Sequence, residues 1–311
     1  MKTIKYFDIL KKALLMTWNN KFLWVFGLLI FLGSLFSNVN VDTNKLSNQN
    51  YVSFGSHPGI VGFVSVAMLL LIAALFLLRI VSMAAIIKSV SDINLYKQLK
   101  IKNILQESRV FLWRIFLLEI IIGLTLLAVA LVLSIPVVYL FALNAKALAW
   151  IALVGAIVII LPLLVLAYYL RRYAIIYIVL GNFKIRISLE AAYLMFEKNS
   201  KKSLLMGVVS IFLGIAFCAT LIAAGLLLLI LLSPFGLIAY FVFAKVGLMA
   251  ISILGAFIGA LLMLAMFSWY EVFLQAVWVF FFQEIGFEKQ KEAKKVENLE
   301  SEVEIPSPET V

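Results

Sequence analysis

The sequence predicts an all-α, polytopic membrane protein with six transmembrane helices. Three observations carry that reading. Of 311 residues, 65% are hydrophobic and 14% charged, against about 45–50% and about 25% in soluble domains. The apolar residues gather in runs near the roughly 20 residues that a helix needs to cross a hydrocarbon core. The basic residues crowd every second connection, the bias expected of a multi-pass chain. With a mean hydropathy of +1.11, the chain has more apolar surface than a water-soluble core of this size can bury.

The runs come in pairs. The first lies at about Phe22–Phe36, behind a basic preface that contains Trp18. It reads as a retained helix rather than a signal peptide, because the preface is long and no small-residue cleavage site follows "FLGSLFSNVN". A polar, turn-rich connection, "SNVNVDTNKLSNQNYVSFGSHPG", leads to the second run, about Ile60–Leu78. The middle pair is about Ile115–Leu140 and Ala149–Leu170, the last about Leu204–Leu232 and Gly247–Trp269. Between the last two, "SPFGLIAYFVFAK" is expected to lie along the membrane surface. Trp18, Trp24, Trp113 and Trp269 fall where interfacial anchors belong.

Charge orients the spans. Five lysines precede the first, seven basic residues run from Arg79 to Arg114, seven from Arg171 to Lys202, and four follow Phe282. The alternate connections hold one each, Lys45, Lys146 and Lys245. Both termini are therefore expected inside a bacterial cytoplasmic membrane. The net charge of +10 sits beside apolar runs, so it points to membrane lipids rather than nucleic acid. Residues 287–311, acidic and with two prolines, are expected to be a disordered cytoplasmic tail.

Residues 1–286 also read as three units of about 90 residues, 1–90, 91–180 and 181–286. "FLWVFGLL" at 22–29 returns as "FLWRIFLL" at 111–118, and "AAIIKSV" returns as "YAIIYIV" 89 positions on. A third copy pairs Leu14 with Leu194, Asn19 with Asn199, Lys21 with Lys201 and Gly27 with Gly207. Fixed-period similarity is a mark of stacked units. Each unit is expected to hold a cytoplasmic surface helix, two spans, and a short apolar stretch on the inner face. Ile4, Phe7, Leu14 and Trp18 share one side of the first surface helix, and Ile185, Leu189, Tyr193 and Phe196 one side of the third. The middle one, "DINLYKQLKIKNIL", is less regular.

On the strength of "ISLEAAYLMFEKNSKKSLLMG", preceded by "RRYAIIYIVLGN", and of "ALLMTWNNKFLWVFGLL", residues 1–286 resemble a group of bacterial six-span membrane proteins. The group includes the membrane domain attached to some glycerophosphodiester phosphodiesterases. These are patterns of helix and charge, and the soluble phosphodiesterase domain of such fusions has no counterpart here. The resemblance therefore implies a six-span fold and no enzymatic activity.

Enzyme chemistry is thinly supplied. The one histidine, His57, has no "GxSxG" serine to serve, and no "HExxH" or other zinc spacing occurs. Asp8, Asp42 and Asp92 all fall outside the spans, and Cys218 lies in an apolar run. No cofactor is implied. Charges at membrane depth stand out instead, because a charge within a span costs about 2.5–3.5 kcal/mol on insertion scales and usually pairs inside the bundle. Glu119 is the sharpest case. Arg114, five residues earlier and about 140° round the helix, is badly placed to meet it. Arg79, Arg171 and Arg172 follow the outward-to-inward spans, and Glu271 holds a comparable place with Gln275 one turn on. We therefore expect a buried ionic ring of Arg79, Arg114, Glu119, Arg171, Arg172 and Glu271, with Glu119 held by arginines of neighbouring units. Gly255 and Gly259 in "GAFIG" form a small-xxx-small face for close helix packing.

The functional expectation is a non-enzymatic membrane protein that binds lipid headgroups or a partner protein at the cytoplasmic face. The alternative is a small transporter or channel that uses Glu119 and Glu271 as ion or proton sites.

Overall fold

A computed structural model describes residues 5–37, 58–94 and 101–287. Among these residues the chain is all-helical, with no strand. The helices are α1 (Tyr6–Asn19), α2 (Trp24–Ser37), α3 (Pro58–Asn94), α4 (Ile101–Arg109), α5 (Leu112–Ala142), α6 (Lys146–Gly181), α7 (Ile185–Lys198) and α8 (Ser200–Phe282). Four of them are long and apolar enough to cross a membrane; α1 and the stretch after it, meeting at 86°, pass the same test as a bent pair. Residues 38–57, with the polar connection and His57, and residues 288–311 of the expected tail lie outside the described residues.

Helix α8 reverses within itself. Ala244 has φ 48° and ψ −135°, which breaks the helix there. A Cβ on Gly247 would sit 2.2 Å from the carbonyl oxygen of Ala239, so only glycine lets the returning backbone come so close. From that turn the two halves run antiparallel. Gly255 faces Leu232, Gly259 faces Leu228, and the rings of Phe217 and Tyr270 stack at 4.1 Å. The stretch expected along the membrane surface is therefore the helical end of the first half, up to the reversal.

The long inner helices run further than hydropathy alone shows. Helix α3 has 37 residues and α6 has 36, about 55 Å each at 1.5 Å per residue, against a hydrocarbon core of about 30 Å. The excess lies past Arg79 and Arg172, in the runs expected to rest on the inner face. Instead "AAIIKSV", "YAIIYIV" and "FLQAVWVFFF" continue their helices and pack together as the core. Ala84, Ala85, Ile86, Tyr173, Ile178, Ala276 and Trp278 are all fully buried there. Two hydroxyls in this core are partnered as burial demands, Tyr173 donating to Ser203 at 2.7 Å and Ser89 to the Ala85 carbonyl at 2.7 Å, while the buried Ser82 Oγ has no partner among the described residues.

Away from this core the same helices are bare. Ile151, Val158, Phe212, Ile222, Leu229, Ile230 and Phe241 are all exposed. Each would cost about 1.5–3 kcal/mol if kept in water, so these helices suit an apolar surrounding of the kind a membrane supplies.

A simple rule places the short helices. Helix α4 packs on α3 and α7 on α6, each against the long helix just before it. Helix α1 packs on the end of α8, where Tyr6 stacks on Phe281 and Lys12 lies over Phe280. The three short helices thus link the long helices in a ring. The middle short helix is described over Ile101–Arg109, overlapping the end of the expected stretch, whose residues 95–100 lie outside the described residues, and an ion pair from Glu107 to Lys88 ties it to α3. Buried Ile9, Ala13 and Met16 of α1 match buried Ser188, Ala192 and Met195 of α7 at an offset of 179, while Gly27 and Gly207 keep 180. One residue is gained at the bend between.

Gly27 marks the tightest crossing. A Cβ there would lie 2.1 Å from the Ser268 carbonyl oxygen, a backbone atom that cannot swing aside. Gly123 has nothing within 4 Å. Gly27→Ala is therefore expected to lower thermal stability in detergent by about 1–3 kcal/mol, the usual cost of overpacking, while Gly123→Ala leaves it unchanged or slightly higher. Paired melting curves check both.

Candidate functional site

The three inner helices leave the bare zone and enter the core at one level, and the charged residues stand at that level. Arg79 comes from α3, Arg171 and Arg172 from α6, and Glu271 with Gln275 from the second half of α8. They line a cavity of about 130 Å³ together with Tyr168. Helix α2 closes one side with Ile30 and Ser34, and Met83, Ile175 and Leu274 complete the wall. Gly33 lets α2 lie against Arg79, since a Cβ there would be 2.7 Å from the Arg79 Cβ.

Each arginine meets a different fate. Arg171 donates from Nη2 to Glu119 Oε1 at 2.6 Å, with the glutamate side chain only 13% exposed. Arg172 donates from Nη1 to Gln275 Oε1 at 2.9 Å, and its guanidinium lies over the rings of Tyr168 and Trp278 at 5.6 and 5.8 Å. Arg79 has a buried Nε with no hydrogen-bond partner among the described residues. Glu271 faces the same space, in the field of Arg172 and Arg79. Three cations thus share the cavity with one carboxylate on its wall and a second behind Arg171.

Four of the six expected residues line the cavity, and Glu119 joins them through Arg171. Its partner belongs to the same hairpin, α5 and α6, not to a neighbouring unit. Arg114 stands apart. It donates from Nη1 to the Asn182 carbonyl at 3.2 Å and to Asn182 Oδ1 at 2.6 Å. Asn182, at φ 54°, is the left-handed residue that ends α6. A cation there complements the helix's negative end, which accounts for a conspicuous arginine outside the cavity.

The tryptophans divide similarly. Trp113 is exposed, and Trp18 packs edge-on to Trp24 at 6.2 Å, whose indole N–H donates to the Thr17 carbonyl at 3.1 Å. Trp269 is half-buried and stacks on Phe273, one turn on along the same helix, at 5.4 Å. Trp150, which sequence reasoning passed over, is exposed beside Phe141 at the far end of the α5–α6 hairpin. Trp278 and Tyr168 were also passed over. Their spacing gave the signal: Glu271, Gln275 and Trp278 share one helix face, as do Tyr168 and Arg172.

No family model, curated protein or solved structure matches this chain. Fold and cavity define a class alone: an all-helical protein with several long apolar helices of the kind that cross membranes, and an arginine-rich cavity where those helices enter a packed core.

Breaking the Glu119–Arg171 pair strands a partly buried guanidinium. Glu119→Gln is expected to lower stability by about 1–3 kcal/mol, tempered because Arg171 is 35% exposed. Replacing both residues by leucine is expected to recover most of the loss. A double-mutant cycle on thermal midpoints reads this directly.

Proposed function

We propose that this chain is a six-span, non-enzymatic protein of a bacterial cytoplasmic membrane, with both termini inside, that binds lipid headgroups or a partner protein at its inner face. The arginine cavity carries the reading. It brings more positive than negative charge to the level where apolar helix surface gives way to a packed core, a level that suits lipid headgroups. The distribution of 23 basic residues against 3 supports that orientation. Six spans are supported by α2, α3, α5, α6 and the two antiparallel halves of α8, each half longer than the roughly 20 residues a bilayer requires. The order of short helix, apolar helix and long inner helix, occurring three times, supports a threefold repeat.

A second reading, a transporter or channel, draws on Glu271, which lines the cavity. Its other proposed site, Glu119, is already engaged by Arg171. If that reading held, cysteine placed at 119 would react with membrane-impermeant thiol reagents; we expect it to resist them from both sides.

Native mass spectrometry of protein released gently from its membrane tests the first reading. A retained anionic lipid or partner chain is expected, and a bare monomer would count against it. Reporter fusions test the topology. Both termini are expected inside and the connections near Lys146 and Lys245 outside, whereas termini on opposite sides would rule out an even number of spans.

A further inference from the structure

The cavity says more about its ligand than its sign. Arg171 is neutralised by Glu119. Arg172 is held by Gln275, an uncharged acceptor that takes one of the guanidinium's five donors and none of its charge. Arg79 keeps a buried Nε–H without a partner among the described residues, a costly condition until an acceptor reaches it. The unmet positive charge thus lies on Arg79 and Arg172, from two different helices. Glu271 stands on the same cavity wall, and an ionised carboxylate only accepts hydrogen bonds. The cavity of about 130 Å³ is several times the roughly 30 Å³ that one water claims in the liquid.

From these features we infer that the cavity takes a phosphate ester carrying a hydroxyl or ammonium donor close by, the phosphate on Arg79 and Arg172 and the donor on Glu271. This deepens the reading of the chain as an inner-face binding protein and rests on it. Two-point recognition follows from the wall chemistry. A phosphate alone satisfies the arginines and leaves Glu271 without a partner. A phosphate with a quaternary amine offers Glu271 charge but no hydrogen bond. The same chemistry is found in lipid headgroups and in small soluble phosphate esters, and the test separates them.

The purified full chain is titrated in detergent with phosphatidylglycerol, phosphatidyl-N,N-dimethylethanolamine, phosphatidylcholine and glycerol phosphate, and binding is read by native mass spectrometry and by thermal shift. The first two lipids, which keep an O–H or N–H, are expected to bind about tenfold more tightly than phosphatidylcholine, a difference of about one hydrogen bond to a charged group. Equal binding of all three would overturn the two-point inference. Arg79→Gln is expected to abolish selective retention, Arg79→Lys to restore part of it, and Glu271→Gln to erase the preference over phosphatidylcholine. Arg114→Gln, outside the cavity, is the control for folding. If the wild type selects these lipids and Arg79→Gln selects them equally well, the cavity assignment fails while the inner-face binding reading survives. If the wild type retains neither lipid nor glycerol phosphate, the inference fails together with the lipid arm of that reading. Displacement of lipid by glycerol phosphate at comparable concentration supports the site and assigns it to a soluble ester.

Discussion

The contact of Glu119 with Arg171, 2.6 Å across the α5–α6 hairpin, makes the rest of the charged layer possible. Two arginines in succession on one helix point about 100° apart, and neither can be left bare beside an apolar interior. Glu119 takes the first. The second is held without being neutralised, by the Gln275 amide and the faces of Tyr168 and Trp278. Arg79, arriving from α3, completes a cationic wall that Glu271 offsets only in part. Charge that would merely be costly in a packed core is thereby kept at a cavity where a ligand can reach it.

Below that layer the molecule is held by apolar burial, above it by its surroundings. The inner ends of α3, α6 and α8 meet in a core of small residues and aromatics, Ala84 and Ala276 against Tyr173 and Trp278 among them. That core cannot shift without moving the arginines a turn or two away on the same helices. Helix α1 seats on the last turns of α8 through Tyr6 and Phe281, which closes the packing around the core. The outer halves pair as hairpins, and their exposed Leu, Ile, Val and Phe side chains form a surface suited to an apolar surrounding rather than to water.

Much of this was legible from residue type and spacing. Helical class and long apolar helices followed from composition, Arg79, Arg171, Arg172 and Glu271 from charge set in or beside apolar runs, and Gln275 from its place one turn past Glu271. What could not be read was partnership. Arg114 looks like any other buried arginine until the left-handed turn at Asn182 is seen to receive it. Glu119 has acceptable arginines on several helices, and only the hairpin's register selects Arg171. The inner apolar runs are as hydrophobic as a strip on the membrane face would be. Hydropathy reports that they avoid water and is silent on what they touch. Trp278 shows the same limit, since an anchor and a core tryptophan share one composition.

The central claim is that Arg79 and Arg172 face an open cavity that an anionic headgroup completes. Electron cryomicroscopy of the chain in nanodiscs containing phosphatidylglycerol addresses it most directly. The account predicts phosphate density within hydrogen-bond reach of both guanidinium groups, with Arg171 still on Glu119. A cavity closed by Arg79 turned onto Glu271, with no density between the inner helices, would contradict it.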